Sequence, residues 1–465
     1  MFYEIQPSEK KALICSNGTT LSYRELADAV KTLGGALVSR RLAFCLCENS
    51  PASVVGYLAC LGKKTVPLML DKKINADLLS HLLTCYRPDF LYVPAEKAAV
   101  FDGYDTVTTY LNYVLLRRKA ETAPAIFDDL ALLLTTSGST GSPKLVRQSY
   151  RNIQSNAEAI VSYLGLDADE RPITTLPMNY TYGLSIINSH LQVGATILMT
   201  DFSMNMKPFW DFFRSEAATS FGGVPFTYEM LKKIRFFRMD LPSLRYMTQA
   251  GGKLSPELHR EFAQWCGEKG KSFIVMYGQT EATARMGYLP AEKSLEKFGS
   301  MGFAIPGGRF ILADVHGNEI AEPETVGELI YEGDNVTLGY AQCLDDLAKG
   351  DERHGRLETG DMAKRDADGY YYVVGRKKRF LKIFGNRVNL DEIDLLIKKT
   401  FPDVECASTG VDDHMQTYIT RAELTDDVRR WLAATTHLSE SAFEVKYIQE
   451  LPKNEAGKIL YKELH

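Results

Sequence analysis

The sequence predicts an α/β protein, and three observations carry that prediction. Over the first hundred residues, helical and strand-like patterns alternate, the arrangement that yields parallel strands covered by helices. Strand candidates at 173–176, 195–199, 219–221, 245–248 and 273–276 continue the alternation, each separated from the next by a helical stretch. From about residue 300 the texture turns to short β-like segments punctuated by glycine, and near Gly375 it changes again. The chain has 465 residues, 45% apolar and 24% charged, enough for several core-forming units, and a domain boundary is expected near Gly375.

Leu21-Ser22-Tyr23-Arg24-Glu25-Leu26 reads as a helix opening, Leu42-Ala43-Phe44-Cys45-Leu46-Cys47 as a buried strand and residues 51–61 as a helix. A later helix is signed at both ends, with Ser255 as N-cap, Pro256 as first residue and Gly267 or Gly270 as stop. Gly308-Arg309-Phe310-Ile311-Leu312 and Gly327-Glu328-Leu329-Ile330-Tyr331 suggest a small barrel or antiparallel layer. Asn389-Leu390-Asp391-Glu392 has the form of a capped helix start leading into residues 393–401.

Composition excludes several function classes. A net charge of -5 gives no electrostatic basis for binding nucleic acid or an acidic membrane surface. The N-terminus lacks a basic stretch followed by an apolar one, and no apolar run approaches the ~18 residues a spanning helix needs; a soluble, cytoplasmic protein is expected. Cys15, Cys45, Cys47, Cys60, Cys85, Cys266, Cys343 and Cys406 form no Cys-x-x-Cys pair and sit mostly in apolar segments, so buried thiols are expected, not a metal site or disulfide framework. Asp412-Asp413-His414 offers metal-ligating side chains, but its flanks read as a loop between strands.

Chemistry-bearing residues concentrate in five stretches. Leu132-Leu133-Leu134-Thr135 is an apolar run that breaks into Thr136-Ser137-Gly138-Ser139-Thr140-Gly141-Ser142-Pro143-Lys144. Its glycines let backbone N–H groups approach an anion, its hydroxyls add donors and Lys144 adds a cation, so it reads as a polyphosphate cradle. It is not a Walker loop: the Gly-Lys-Ser/Thr ending is missing, and Pro143 disfavours the helix that would follow. Tyr277-Gly278-Gln279-Thr280-Glu281 offers an aromatic face, a hydroxyl and a carboxylate able to hold Mg²⁺ at a strand end. Thr359-Gly360-Asp361 reads as a carboxylate at a turn, suited to vicinal hydroxyls. Gly375 to Gly385 mixes cations with apolar residues at strand spacing, and a nucleic-acid patch there is the alternative. Leu451-Pro452-Lys453-Asn454-Glu455-Ala456-Gly457-Lys458 sets a lysine after a glycine turn.

Taken together these stretches resemble, in order, wording and spacing, the adenylate-forming superfamily of acyl-CoA synthetases, luciferases and peptide-synthetase adenylation domains. The matching motifs are Thr-Ser-Gly-Ser-Thr-Gly-x-Pro-Lys, Tyr-Gly-x-Thr-Glu, Thr-Gly-Asp, Gly-Arg-x-x-x-x-x-Lys-x-x-Gly and Pro-Lys-x-x-x-Gly-Lys. The resemblance implies a large domain over 1–377, made of two α/β subdomains plus a distorted β-barrel, and a small mobile α+β domain over 378–465. It implies an enzyme using ATP and Mg²⁺ to convert a carboxylic acid to an acyl-adenylate, with release of pyrophosphate and transfer of the acyl or aryl group to a thiol. In that scheme Thr136, Ser137, Gly138, Ser139, Thr140, Gly141 and Lys144 hold the phosphates. Gly251, Gly252 and Tyr277 enclose adenine, Asp361 and Arg376 bind ribose, Thr280 meets the α-phosphate and Glu281 the metal. Lys458 bridges carboxylate and α-phosphate during adenylation. The small domain then turns about Lys378 and brings Lys382 and Gly385 to the site, Gly385 leaving space for a pantetheine arm.

Two departures from the family pattern stand out. Lys378 occupies a hinge position where many relatives have aspartate, and fewer than ninety residues follow it. Leu176-Pro177-Met178-Asn179-Tyr180-Thr181-Tyr182-Gly183 resembles the mouth of the acyl pocket, with Tyr180 and Gly183 at its rim, and lacks the aspartate with which amino-acid-activating relatives pair an ammonium. Gly222 and Gly223 either leave room for the acyl group or pack under a strand. With His465 closely following the lysine motif, no fused carrier domain is expected; the acceptor is CoA or the phosphopantetheine of a separate acyl carrier protein, CoA slightly preferred. Transfer to an amine or hydroxyl, or a non-catalytic nucleotide-binding role, are the alternatives.

Overall fold

The strand Leu42–Cys47 shows how the largest sheet is built. All six residues are buried, and because successive side chains point to opposite faces, Ala43, Cys45 and Cys47 enter one hydrophobic core while Leu42, Phe44 and Leu46 enter another. A strand buried on both faces has no polar side to alternate with, which accounts for the uninterrupted apolar run. The computed structural model describes the chain except residues 120–124, 136–143, 385, 437, 454–458 and 465, and describes only the backbone of 378, 380, 382, 386, 387 and 462.

Leu42–Cys47 lies inside an eight-stranded sheet. Its centre is parallel, in the order Leu130–Thr135, Val66–Asp71, Leu42–Cys47, Phe90–Pro94. Antiparallel strands flank it: Tyr113–Arg118 and Tyr104–Tyr110 on one side, Leu145–Ser149 and Gly339–Ala341 on the other. Helices Pro51–Lys63 and Ala76–Tyr86 make the crossovers between parallel strands. Leu130–Thr135 and Leu145–Ser149 flank the cradle stretch, so a strand follows Lys144 where a Walker loop would run into a helix.

A second, five-stranded sheet sets Ser220–Gly223, Tyr246–Gln249 and Ser272–Tyr277 parallel, then adds Gly287–Leu289 and Phe303–Ala304 antiparallel. A three-stranded sheet, Ile197–Met199, Lys11–Cys15 and Thr20–Ser22, joins it through bridges from Pro172 to Ser220 and from Ile173 to Leu198. The strand expected at 173–176 is reduced to this bridge: Pro172 has no N–H for the ladder, and the chain leaves toward Pro177.

Helix starts follow the local code. Ser22 forms a capping box with Glu25 ahead of Tyr23–Gly35, and Ser255 accepts the Leu258 N–H ahead of Pro256–Glu268, each cap contributing about 1 kcal/mol. That second helix passes through Gly267 and stops before Gly270, whose φ of +64° is the left-handed turn glycine tolerates.

The chain forms two compact units, Met1–Arg309 with Tyr331–Leu357, and Phe310–Ile330 with Glu358–His465. Most of a four-stranded sheet, Gly308–Ala313, Gly327–Gly333, Arg356–Arg365 and Tyr371–Arg376, belongs to the second, a β layer in the region expected after residue 300 whose last two strands run antiparallel. The same unit holds the hairpin Phe380–Ile383 and Asn386–Asn389, helices Leu390–Thr400 and Thr425–Thr436, and a sheet of Cys406–Val411, His414–Ile419 and Phe443–Tyr447. Asn389 caps Leu390–Thr400 and donates to the Val374 carbonyl, fastening that helix to the preceding strand. Asp412 and Asp413 form the tight turn between Cys406–Val411 and His414–Ile419, Asp413 at φ +65°. Cys15, Cys45, Cys47, Cys60, Cys266 and Cys406 are buried free thiols, Cys85 is half-buried and Cys343 exposed. Among the described residues no helix is long and apolar enough to cross a membrane.

Two buried histidines give the first unit a pH signature. His259 accepts the Gly299 N–H on Nδ1 and faces Ser294 Oγ with Nε2 at 2.8 Å; His190 lies 2.7 Å from the Ile186 carbonyl and 3.1 Å from the Tyr246 hydroxyl. Each neutral ring is satisfied, and burial pushes both pKa values down to about 4. Between pH 6.5 and 4 the unfolded chain takes protons that the folded protein refuses, so stability falls as pH falls, by about 2 kcal/mol per histidine at pH 5. The urea midpoint should therefore drop between pH 7 and pH 5, and the drop should be smaller in His259→Gln; an equal drop in both proteins would exclude His259 as a source.

Candidate active site

The strand Ser272–Tyr277 ends in the turn Thr280–Ala282, and Thr283 (φ +53°) and Ala284 (φ +93°) follow in the left-handed region before Gly287–Leu289 begins. Gly278 lies against the Ala284 carbonyl, where no Cβ would fit, so the turn folds back onto itself. Its carbonyls are met by groups from distant parts of the chain. Thr280 O accepts from Gln148 Nε2 at 3.3 Å. Glu281 O accepts from the Thr337 N–H at 3.1 Å, Thr337 Oγ1 at 2.9 Å and Arg353 Nη1 at 3.0 Å. Asn335 Nδ2 donates to Ala282 O at 2.8 Å and Arg285 O at 3.0 Å, and Asn156 Nδ2 donates to Arg285 O at 2.8 Å.

The same turn presents the Glu281 carboxylate, whose Oε1 accepts the Tyr340 hydroxyl at 2.7 Å. The Tyr340 ring carries the Lys144 ammonium 3.5 Å from its centroid and the Arg353 guanidinium 4.7 Å from it. Strand register explains the meeting: Gly339–Ala341 pairs with Leu145–Ser149 so that Ala341 lies opposite Leu145, the residue after Lys144. Burial and the neighbouring Glu281 push the Tyr340 phenol up to about 12, so it remains a proton donor. A carboxylate oxygen and a lysine separated by one aromatic side chain suit a magnesium ion and the phosphates it accompanies.

A second group lies beside the five-stranded sheet. A Cβ on Gly251, at φ +83°, would stand 2.6 Å from the Tyr180 hydroxyl, which joins the expected adenine and acyl sites at one point. Gly252 rests against the Pro225 ring, and its carbonyl accepts from Gln249. A Cβ on Gly222 would meet the Tyr182 hydroxyl at 2.8 Å and Ile186 at 3.0 Å; Gly183 packs on the Pro177 carbonyl. Both glycines are thus occupied by packing. Tyr182 itself is fixed by bonds to Thr248 O at 3.0 Å and Thr248 Oγ1 at 2.8 Å. Behind it the buried Arg285 bonds Tyr163 Oη at 3.0 Å and Ser185 Oγ at 3.2 Å, with its guanidinium 5.2 Å over the Tyr182 ring.

In the second unit Asp361 and Arg376 are opposed across the strands Arg356–Arg365 and Tyr371–Arg376, and Arg376 Nε lies 2.7 Å from Asp361 Oδ1. Thr359-Gly360-Asp361 was expected at a turn; it lies within a strand, Gly360 at φ +69° marking a local irregularity. Asp361 is buried and Arg376 exposed. Lys378 sits in the turn Lys377–Arg379, and the Lys382 backbone pairs with Arg387. Thr136, Ser137, Gly138, Ser139, Thr140, Gly141, Gly385 and Lys458 lie outside the described residues.

Among the expected residues, then, the fold brings Lys144 and Glu281 onto one ring, Tyr340, sets Tyr180 beside Gly251, and pairs Asp361 with Arg376. Tyr340, Asn335, Thr337 and Arg353 escaped sequence reading. Gly339-Tyr340 follows Asp334-Asn335-Val336-Thr337-Leu338 and matches no local motif; the place of Tyr340 arises from pairing with residues nearly two hundred positions away.

A family model described as AMP-binding enzyme matches residues 4–341. Among known proteins, an indoleacetate–CoA ligase of Aromatoleum aromaticum is 28% identical over 94% of this chain and 91% of its own. A feruloyl-CoA synthase of an Amycolatopsis species is 28% identical over 96% of this chain and 94% of its own. Among solved structures, the o-succinylbenzoate CoA synthetase of Bacillus subtilis in complex with its acyl-adenylate superposes with a TM-score of 0.78 at 23% identity, covering 98% of this chain and 95% of that one.

The carbonyl network makes a sharp prediction at Asn335, which is buried. Asn335→Asp keeps the volume but turns a donor toward two carbonyls into an acceptor, so it should destabilise the first unit more than Asn335→Ala, each by about 1–3 kcal/mol or more. Urea unfolding of the two variants checks this; the reverse order would remove Asn335 as the donor that holds the turn.

Proposed function

Because the chain belongs to the family of AMP-binding enzymes, we propose that it is an acid–thiol ligase that activates a carboxylic acid with ATP and passes the acyl group to CoA. The observation that carries the reading is the joint placement of Lys144 and the Glu281 carboxylate on Tyr340, at the end of a strand whose turn is fixed from four directions.

In the first step an oxygen of the substrate carboxylate attacks the α-phosphorus of ATP, the bond to the β,γ-phosphates breaks, and pyrophosphate leaves an acyl-adenylate. Such chemistry depends on alignment and charge compensation more than on a proton shuttle. Glu281 would hold the magnesium ion, Thr280 would donate to the α-phosphate, and Lys144 with residues 136–141 would hold the β- and γ-phosphates. Gly251, Gly252 and Tyr277 would enclose adenine, and Asp361 with Arg376 would take the ribose hydroxyls. Lys458 supplies the cation between carboxylate and α-phosphate. In the second step the thiolate of CoA attacks the acyl carbon and AMP departs, after the segment 378–465 has turned about Lys378 to bring Lys382 and Gly385 forward. A phosphopantetheine on a separate carrier protein is the alternative acceptor. For the acid, relatives named for indoleacetate and feruloyl-CoA make aryl and short arylalkyl acids the first class to try, entering past Tyr180, with Tyr182 and Ile186 at Gly222 setting the depth.

Isotope exchange between ATP and pyrophosphate, screened over aromatic, short, medium and long-chain acids without thiol, tests the reading. Exchange with one acid class, followed by AMP and acyl-CoA formation once CoA is added, is the expected result; ATP binding without exchange for any acid would overturn it. Lys458→Ala should reduce exchange by roughly 10²–10³-fold, using donor deletions at oxyanion sites as the scale. Lys378→Pro should spare exchange and stall thioester formation, and equal losses in both steps would remove the hinge from Lys378.

A further inference from the structure

We propose that Tyr340 is a positioning residue for Mg·ATP: its hydroxyl sets the metal-binding carboxylate, and its ring holds the phosphate-binding lysine until nucleotide takes it. The inference rests on the ligase reading, because it assigns Glu281 toward the metal and Lys144 toward the phosphates.

Three features of the site carry it. First, Tyr340 has little freedom of its own. It sits in the middle of Gly339–Ala341, its neighbours pair with Leu145 and Arg147, and its carbonyl accepts from Arg147 Nε at 3.1 Å. A side chain on so fixed a backbone can fix another, and its bond to Glu281 Oε1 at 2.7 Å selects one orientation of that carboxylate. Second, the two cations on the ring are held differently. Arg353 also donates to Glu281 O at 3.0 Å and to Thr337 Oγ1 at 2.8 Å, so it is tied to the turn. The described contact of the Lys144 ammonium is the ring itself, 3.5 Å from the centroid. Third, a charge-assisted bond to a phosphate oxygen is stronger than an ammonium–ring contact. Nucleotide therefore draws Lys144 off Tyr340, while Tyr340 keeps its hydroxyl on Glu281. One tyrosine thus presets the two ligands that Mg·ATP must meet together.

Two variants separate the two functions of the side chain: Tyr340→Phe removes the hydroxyl and keeps the ring, and Tyr340→Leu removes both. Binding of Mn²⁺ in the presence of a non-hydrolysable ATP analogue, followed by electron paramagnetic resonance, reads the carboxylate. Tyr340→Phe should weaken Mn²⁺ binding by roughly tenfold, the scale of losing a group that orients a metal ligand, while metal-free analogue affinity stays within about twofold. Glu281→Gln combined with Tyr340→Phe should then be no worse than Glu281→Gln alone. The ring is read on the full chain after reductive ¹³C-methylation of its lysines, with the Lys144 resonance assigned by its loss in Lys144→Arg. That resonance should be shifted upfield by the ring current in the wild type and in Tyr340→Phe, lose the shift in Tyr340→Leu, and move downfield when the analogue is added.

Unchanged Mn²⁺ affinity in Tyr340→Phe, or a Lys144 resonance without ring-current shift in the wild type, would overturn the proposal. The wild-type spectrum decides even if a variant fails to fold. If the wild type bound no analogue at all, the ligase reading itself would fail; normal analogue binding with an indifferent Tyr340 would overturn only this inference.

Discussion

Buried carbonyl groups between Thr280 and Arg285 are the constraint on which the first unit depends. A strand that turns through two left-handed residues takes its carbonyls out of the sheet ladder, and a buried carbonyl left without a donor costs about 1–3 kcal/mol. The donors come from Gln148, Asn156, Asn335, Thr337 and Arg353. Gln148 stands on a strand of the eight-stranded sheet, and Asn335 and Thr337 lead into another of its strands, while the turn itself closes a strand of the five-stranded sheet. The turn is therefore where the two sheets are fastened, and any shift of one sheet against the other would strip it of partners. A carboxylate mounted on such a turn inherits its rigidity, which the proposed metal-binding role of Glu281 would require.

The same reasoning explains what could be read from the sequence. Local signals survived where a single stretch decided the outcome: the two-faced run at Leu42–Cys47, the caps at Ser22, Ser255 and Asn389, and the glycine stop at Gly270. Tyr277 through Glu281 was likewise readable as a motif because it is short and contiguous. Thr359 to Asp361 misled because a glycine between two polar residues usually marks a turn, yet here the cross-strand pairing of Asp361 with Arg376 holds it in a ladder. Gly222 shows a further limit. Whether a glycine opens a pocket or admits a neighbour depends on Tyr182 and Ile186, some forty positions earlier, and only the folded chain brings them to it. Tyr340 was illegible on the same ground, because its partners are fixed by register and not by sequence proximity.

Aromatic rings also settle how the protein keeps cations available. Lys144 and Arg353 lie on Tyr340, Arg285 on Tyr182 and Arg379 on Tyr461. Arg379 is in addition locked to Asp391 and Asp394, each at 2.8 Å, and serves the architecture of the second unit. Lys144 has the opposite arrangement. Breaking a buried ion pair commonly costs 3–5 kcal/mol, whereas leaving a ring costs about 0.5–2 kcal/mol. Under the proposed ligase reading, a lysine that exchanges its resting contact for a polyphosphate is better stored on a ring than on a carboxylate, because the smaller loss leaves more of the phosphate interaction for binding. The hydroxyl of the same ring is meanwhile engaged by Glu281 Oε1, so one tyrosine meets the cation with its face and the carboxylate with its edge.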